Sequence, residues 1–374
     1  MAKKTLYWDI HPILSKGCQY NMIIGERSNG KTYGTLKHAM EEYFRDGSEV
    51  GIIRRMEEDF RGKRANQLFS PFIAKGLIEK LSKGKYNSVR YYSQRWYFEY
   101  IAENKSESFV SDTPFAYAFA LTSMEHDKSS SYPNIRTIIF DEFLTRSIYL
   151  QDEFITFQNT LSTIIRDRND VTIFMLGNTI NKFSPYFKEM GLTNVKEQEC
   201  GTIDVYSYGN SGLRVAVERC SDNSKTNPKK SDIYFAFNNP KLQMIKGGAW
   251  EIDIYPHLPC KYLPKNIKYM YFIKFDGEIL QCEIIRTTYE DEIHGKRDVT
   301  FTYIHRKTTE IKDDDGKYIV YQEDFSPLRN YRRRITKPRN NLEKYILGFY
   351  SSDKIFYQDN DVGEVVRNYL QWCN

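Results

Sequence analysis

Residues 20–37 read YNMIIGERSNGKTYGTLK. The apolar run Met22-Ile23-Ile24 leads into Gly25-Glu26-Arg27-Ser28-Asn29-Gly30-Lys31-Thr32. That is G-x-x-x-x-G-K-T, the pattern of a phosphate-binding loop set between a buried strand and a helix. Gly25 and Gly30 let the backbone curl until its N–H groups point at phosphate oxygens, and Glu26, Arg27, Ser28 and Asn29 supply the rest of that cradle. Lys31 is placed for β- and γ-phosphates, and the Thr32 hydroxyl for Mg²⁺. A helix over 31–44 should set its positive end on the phosphates. The first fold expectation is therefore an α/β P-loop nucleotide-binding domain.

A second motif lies about 110 residues downstream, Thr137-Ile138-Ile139-Phe140-Asp141-Glu142-Phe143. An apolar strand running into Asp-Glu carries Asp141 to its C-terminal tip, where it meets Mg²⁺ through water, and leaves Glu142 to polarise the attacking water. A third apolar run, 171–176, ends in Gly177-Asn178-Thr179. Asn178 is the candidate sensor beside the γ-phosphate. The helix predicted over 151–166 closes on Arg166-Asp167-Arg168. Arg166 and Arg168 are candidates for a cation acting on a neighbouring subunit, with Arg146 and Lys128 next in order. The chain has no N-K-x-D guanine motif. The cofactors expected are therefore ATP and Mg²⁺, and the chemistry expected is ATP hydrolysis.

Around these motifs the pattern is plainer. Tyr7, Trp8 and Pro12 either flank an adenine base or cap the sheet edge. Residues 50–55 read as a short strand ending in two arginines, and 56–81 as a mixed-charge helical stretch broken at Ser70-Pro71. Alternation over 88–101 suits antiparallel strands or a hairpin, and 115–121 a further strand. Strands are expected near 202–206 and 213–219. Residues 221–230, polar with one proline and no apolar side chain, read as a linker between domains 1–220 and 231–374. The second domain looks α+β. Its strands fall at 268–275, 279–286, 299–305 and 318–322, with a hairpin turn at Asp276-Gly277 and closing helices over 341–350 and 363–372.

Hydrophobic residues make up 40% of the 374, which suits a mostly globular chain, and the formal charge of +5 is compatible with a nucleic-acid partner. No apolar run approaches 18 residues and the N-terminus lacks an apolar core, so neither a membrane span nor a secretory signal is expected. The six cysteines are scattered without C-x-x-C, which points away from a zinc site or disulfide framework and toward a reducing compartment.

GERSNGKT, IIFDEF, and an R-x-R helix end paired with a strand ending in LGN resemble the DNA-packaging (encapsidation) ATPases of phi29-type tailed phages, relatives of terminase large-subunit motors. The likeness covers both domains, although its specific motifs lie in the first. It implies an additional-strand catalytic-glutamate fold with a RecA/FtsK-like parallel sheet. It implies a homo-oligomeric ring, a pentamer in that family, in the host cytoplasm at the portal vertex of a procapsid, moving double-stranded DNA and engaging the portal and a structural RNA. Lys31, Thr32, Asp141 and Glu142 take their motif roles, the arginine finger falls to the Arg166/Arg168 region, and Lys128 matches a second trans-acting lysine.

For the second domain the resemblance implies an RNase-H-like fold lacking a nuclease site. The acids that could build one are Asp253, Asp276, Glu278 and Glu283, and they form no obvious triad. A terminase-type motor with a live nuclease stays open, as does a nucleotide-gated adaptor. The basic run 329–339 holds Arg329, Arg332, Arg333, Arg334, Lys337 and Arg339 with no acid, and Arg306-Lys307 adds to it. Such a run suits sequence-independent phosphate contact. A solvated loop, or docking to an acidic portal or to a structural RNA, is the alternative.

Overall fold

The computed structural model describes residues 8–123, 131–146, 149–179, 181–221, 255–258, 260–291, 295–309 and 316–373. The chain divides into two compact units, Met1–Glu251 and Ile252–Asn374. The expected linker, apart from Ser221, lies outside the described residues.

The first unit is built on one sheet. Its strands are β1 (Tyr20–Gly25), β2 (Glu49–Arg54), β3 (Ser88–Tyr92), β4 (Arg95–Tyr100), β5 (Phe109–Val110), β6 (Ala116–Ala120), β7 (Ile135–Asp141), β8 (Thr172–Asn178), β9 (Thr202–Tyr208) and β10 (Leu213–Arg219). They lie in the order β3-β4-β6-β2-β7-β8-β1-β10-β9, with β5 against β4. From β6 to β10 neighbouring strands run parallel. β9 pairs antiparallel with β10. The central strands are apolar at nearly every position because both faces are covered. Alternate residues divide between two cores, so Ile23, Ile52, Ile139 and Phe174 pack on one face, and Met22, Ile24, Ile53, Phe140 and Met175 on the other.

The hairpin expected over 88–101 is β3–β4, turning at Ser93 and Gln94, both at positive φ, as a tight two-residue turn requires. The helical stretch expected over 56–81 is instead a chain of short pieces: a 3₁₀ turn, Glu57–Phe60, then Lys63–Gln67, Ser70–Ala74 and Leu77–Leu81. Gly62 and Gly76 sit at φ 62° between them and Pro71 opens the third, so each break has a local cause. Phe69, Phe72, Trp96, Phe98 and Phe115 then pack together on one core.

The second unit holds β11 (Ile267–Phe275), β12 (Glu278–Asp291), β13 (Gly295–Arg306), β14 (Ile319–Gln322), β15 (Tyr331–Arg332) and β16 (Ile355–Tyr357), ordered β15-β14-β11-β12-β13-β16. β11, β12 and β13 run antiparallel; β14 is parallel to β11, and β15 to β14. The β11–β12 turn is Asp276-Gly277, at φ 50° and 80°. Helices Asn341–Ser351 and Asn360–Cys373 close the chain. Among the described residues no helix is long and apolar enough to cross a membrane.

Candidate nucleotide site

β1 ends at Gly25, and the loop opens the helix Lys31–Asp46. A Cβ on Gly25 would stand 2.6 Å from Cys220 Cβ, so this first glycine is required by the strand beside it as well as by the turn. Ser28 at φ 59° and Gly30 at φ 96° curl the loop. Lys31 is buried, and its Nζ donates to the carbonyls of Gly25 (3.1 Å) and Glu26 (2.7 Å) and to Oδ1 of Asn29 and Asn178, both at 3.2 Å.

β8 lies between β1 and β7, so three strand tips converge at one end of the sheet. In register, Gly25 stands opposite Asn178, and Asp141 opposite Leu176. Thr32 Oγ1 donates to Asp141 Oδ1 at 3.1 Å. The other Asp141 oxygen accepts from Arg54 Nη2 at 2.6 Å. Glu142 follows at φ 62°, its side chain 65% exposed and 3.8 Å from Arg54 Nη1. The chain then dives across β8: Phe143 N–H donates to Leu176 O at 3.2 Å. Phe143 and Leu144 lie where a Cβ on Gly177 would come within 2.8 Å of either, which explains the glycine of the LGN tip. The cleft, about 540 Å³, is lined by Ser28, Lys31, Thr32, Asp141, Glu142 and Asn178 among others.

The paired oxygens of Thr32 and Asp141 suit a hard cation such as Mg²⁺. The curled loop, with Lys31 at its base, suits the phosphates it would bring.

Sequence reasoning gave no role to Arg54 and Arg55. Arg54 bridges toward both acids of the motif. Arg55 binds Glu153 with Nε at 2.8 Å and Nη2 at 2.9 Å. The signal was the pair of cations ending a buried strand, but nothing local says which neighbouring strand they face.

The remaining candidates separate. Arg166 caps the helix Glu153–Ile165 at φ 53°, a strained backbone for a side chain of that size. Arg168 is spent within its own chain: Nη1 donates to the carbonyls of Pro133 (3.1 Å) and Ile135 (2.7 Å), and Nη2 to those of Tyr132 (3.1 Å) and Ile164 (3.2 Å). It braces the start of β7, at the opposite end of that strand from Asp141. Arg146 follows Glu142 in the loop beyond β7. Lys128 lies outside the described residues. Tyr7 does as well, while Trp8 packs on Gly34 of the P-loop helix and donates from Nε1 to Glu218 Oε1 at 3.0 Å.

Burial lifts the Glu218 carboxyl from about 4.5 to about 7, against the pull of the Trp8 bond. Its native pKa exceeds its unfolded one, so the folded chain holds the proton more tightly. The resulting stability is fully present below about pH 4.5 and lost as pH rises through about 7. Glu218→Gln should therefore leave the melting temperature nearly unchanged at about pH 4.5 and raise it at about pH 8. The gain should be roughly 1–2 kcal/mol after allowance for solvent screening. Thermal unfolding at both pH values checks this.

In the second unit the basic run divides. Arg332 Nε donates to the buried Glu343 at 2.8 Å, which removes Arg332 from the expected phosphate-facing set. Arg333 and Arg334 lie over the Trp372 ring, at 5.3 and 5.8 Å. Arg329, Arg333, Lys337 and Arg339 are exposed. Arg306 pairs with Asp359 at 2.8 Å, and Lys307 beside it is exposed. The acids do not converge. Asp253 lies outside the described residues, Asp276 makes the turn, and Glu278 stands 4.0 Å from Arg306. Glu283 accepts from Tyr262 (2.6 Å) and Gln281 (2.7 Å) and lies 3.4 Å from His305. Burial pushes its pKa up, but these bonds outweigh burial and hold it below the usual value. Among the described residues, no three His, Cys, Asp or Glu side chains gather as a metal site.

Residues 1–207 match the family model described as podovirus DNA encapsidation protein (Gp16). The DNA packaging protein of Bacillus phage phi29 is 25% identical over 187 residues, 49% of this chain and 50% of that protein. That of Bacillus phage B103 is 26% identical over 176 residues, 46% of this chain and 48% of the other. The chain thus spans about half the length of the curated relatives it matches. A chain of the bacteriophage phi29 viral genome packaging motor assembly superposes with a TM-score of 0.52 at 18% identity, covering 97% of each chain, which establishes likeness of fold.

Proposed function

The chain belongs to the podovirus DNA encapsidation protein (Gp16) family, and on that premise we propose that it is an ATP-hydrolysing ring motor that drives double-stranded viral DNA through a portal into a procapsid. The observation that carries this reading is the meeting of Thr32 and Asp141 at 3.1 Å, with Lys31, Asn178 and Glu142 at the same sheet end. Lys31 and the loop amides would hold the β- and γ-phosphates, and Thr32 with Asp141 would hold Mg²⁺. The bound metal supplies charge neutralisation on the phosphate oxygens. Glu142, projecting into the cleft, orients water and takes up its proton. Asn178, hydrogen-bonded to Lys31, is the sensor of what the loop holds. Arg166 is the finger offered to the next subunit, with Arg146 and Lys128 as its lesser companions. A homopentameric ring in the host cytoplasm, docked at the portal vertex with a structural RNA, is what family resemblance adds.

For the second unit, three antiparallel strands with two more parallel to the first support an RNase-H-like fold, and the dispersal of its acids supports one that grips DNA without cutting it. Arg329, Arg333, Lys337 and Arg339 are the exposed cations for that grip. Each phosphate contact releases counterions, so removing one flattens the salt dependence of binding by about one unit of slope. The triple variant Arg333→Ala, Lys337→Ala, Arg339→Ala should lower the slope of log affinity against log salt by roughly 2–3. Arg332→Ala should lower the melting temperature instead. Fluorescence-anisotropy titrations on random-sequence duplex at several salt concentrations check this. An unchanged slope removes the run from the DNA path.

The reading as a whole is tested by steady-state phosphate release with and without duplex DNA and procapsids. Stimulation by DNA is expected. Tight ATP binding with no turnover in the complete mixture would leave a nucleotide-gated adaptor.

A further inference from the structure

Glu142 is a non-glycine residue in the left-handed region, a conformation that costs about 1–2 kcal/mol and persists where neighbours hold it. Its backbone is pinned from two sides. On one side, the next N–H, that of Phe143, donates to β8. On the other, Arg55 Nη1 donates to Glu142 O at 3.3 Å and Nη2 to Phe143 O at 2.8 Å. The same guanidinium grips Glu153, whose side chain is fully buried. Glu153 in turn accepts from Tyr186 Oη at 2.8 Å and Leu150 N–H at 2.8 Å, and the Arg55 guanidinium lies 5.2 Å over the Tyr149 ring. The planar fork is thus fixed at its far end by a carboxylate that is itself fixed, while its near end holds the carbonyl of the strained residue and that of the residue after it. Arg55 lines the same cleft as Lys31, Thr32 and Asp141, but its guanidinium is committed to Glu153 and to the two carbonyls.

We propose that Arg55, backed by Glu153 and Tyr186, is a positioning residue that sets the backbone from which the Glu142 carboxylate reaches the attacking water. This rests on reading the cleft as an ATPase site. Misplacing a reacting group by about 1 Å costs as much as 10²-fold in rate. A lysine keeps the charge but offers one compact ammonium, unable to span the carboxylate and both carbonyls.

Arg55→Lys should lower kcat about tenfold or more, with KM and the affinity for a fluorescent ADP analogue within about twofold of wild type. Tyr186→Phe keeps the ring and removes one bond to Glu153, and should lower kcat by about two- to fivefold with affinity again unchanged. In a Glu142→Gln background Arg55→Lys should cost nothing further, because the group it positions is gone.

The assays use the full chain with DNA and procapsids. An active wild type whose Arg55→Lys and Tyr186→Phe variants turn over at the wild-type rate overturns the positioning role alone. A loss of kcat matched by an equal loss of nucleotide affinity, or an equal further loss in the Glu142→Gln background, also overturns it, because Arg55 would then hold the site together. A wild type with no ATPase activity in the complete mixture overturns the ATPase reading, and the positioning role with it. If Arg55→Lys fails to fold, Tyr186→Phe decides.

Discussion

Glu142→Gln is expected to lower ATP turnover by about 10²–10⁴-fold while nucleotide affinity stays within about twofold of wild type. The side chain is exposed to the cleft, and its carboxylate stands 3.8 Å from Arg54, so an isosteric amide disturbs no packing. Asp141, the partner of Thr32, is untouched, and so is Lys31. An amide can still hydrogen-bond to a water but cannot take its proton. The loss should therefore fall on kcat. Phosphate release at saturating ATP, beside titration with a fluorescent ADP analogue, separates the two quantities. Wild-type turnover in the variant would move the base elsewhere, and a parallel loss of binding would make Glu142 structural.

Arg166→Ala should have the larger effect, about 10³–10⁵-fold, but in assembled rings alone. Arg168→Ala should behave differently, because its guanidinium ties four carbonyls that would be left without their charged donor. The expected cost is about 2–3 kcal/mol of stability, or a melting temperature lower by roughly 4–10 °C. Mixing distinguishes a trans cation from a cis one. Rings formed from Arg166→Ala and Glu142→Gln chains together should regain activity that neither has alone, since an intact Glu142 can then meet an intact Arg166 from its neighbour. Phosphate release measured across mixing ratios checks this, and an activity that never exceeds that of the separate variants would place Arg166 outside the neighbouring site.

The phosphate loop, the Asp141-Glu142 tip and the Asn178 tip were legible because each is a short run whose meaning is local: glycines where the chain must curl or approach closely, an acid where an apolar strand ends. What the residues could not convey is which strands are neighbours, since pairing is set by contacts far apart in the chain. The placement of β8 between β1 and β7 brings Asn178 to Lys31 and Asp141 to Thr32. The placement of β2 on the other side of β7 gives Arg54 and Arg55 their partners. A strand ending in two cations looks the same whether they face solvent or, as here, Asp141, Glu142 and Glu153. Arg332 shows the converse failure. It reads as one more cation in a basic run, and its fate is set by a buried glutamate, Glu343, on the following helix. The 56–81 stretch has helical composition throughout, and Gly62, Pro71 and Gly76 cut it into single turns.

The most direct test of a packaging motor is protection of DNA. Procapsids, duplex DNA and the purified protein are incubated with ATP, then treated with DNase, and the surviving DNA is measured. Full-length, ATP-dependent protection by the wild type, with none for Lys31→Ala or Glu142→Gln, is the expected result. A wild-type protein that hydrolyses ATP in that mixture and leaves all the DNA digestible would contradict it.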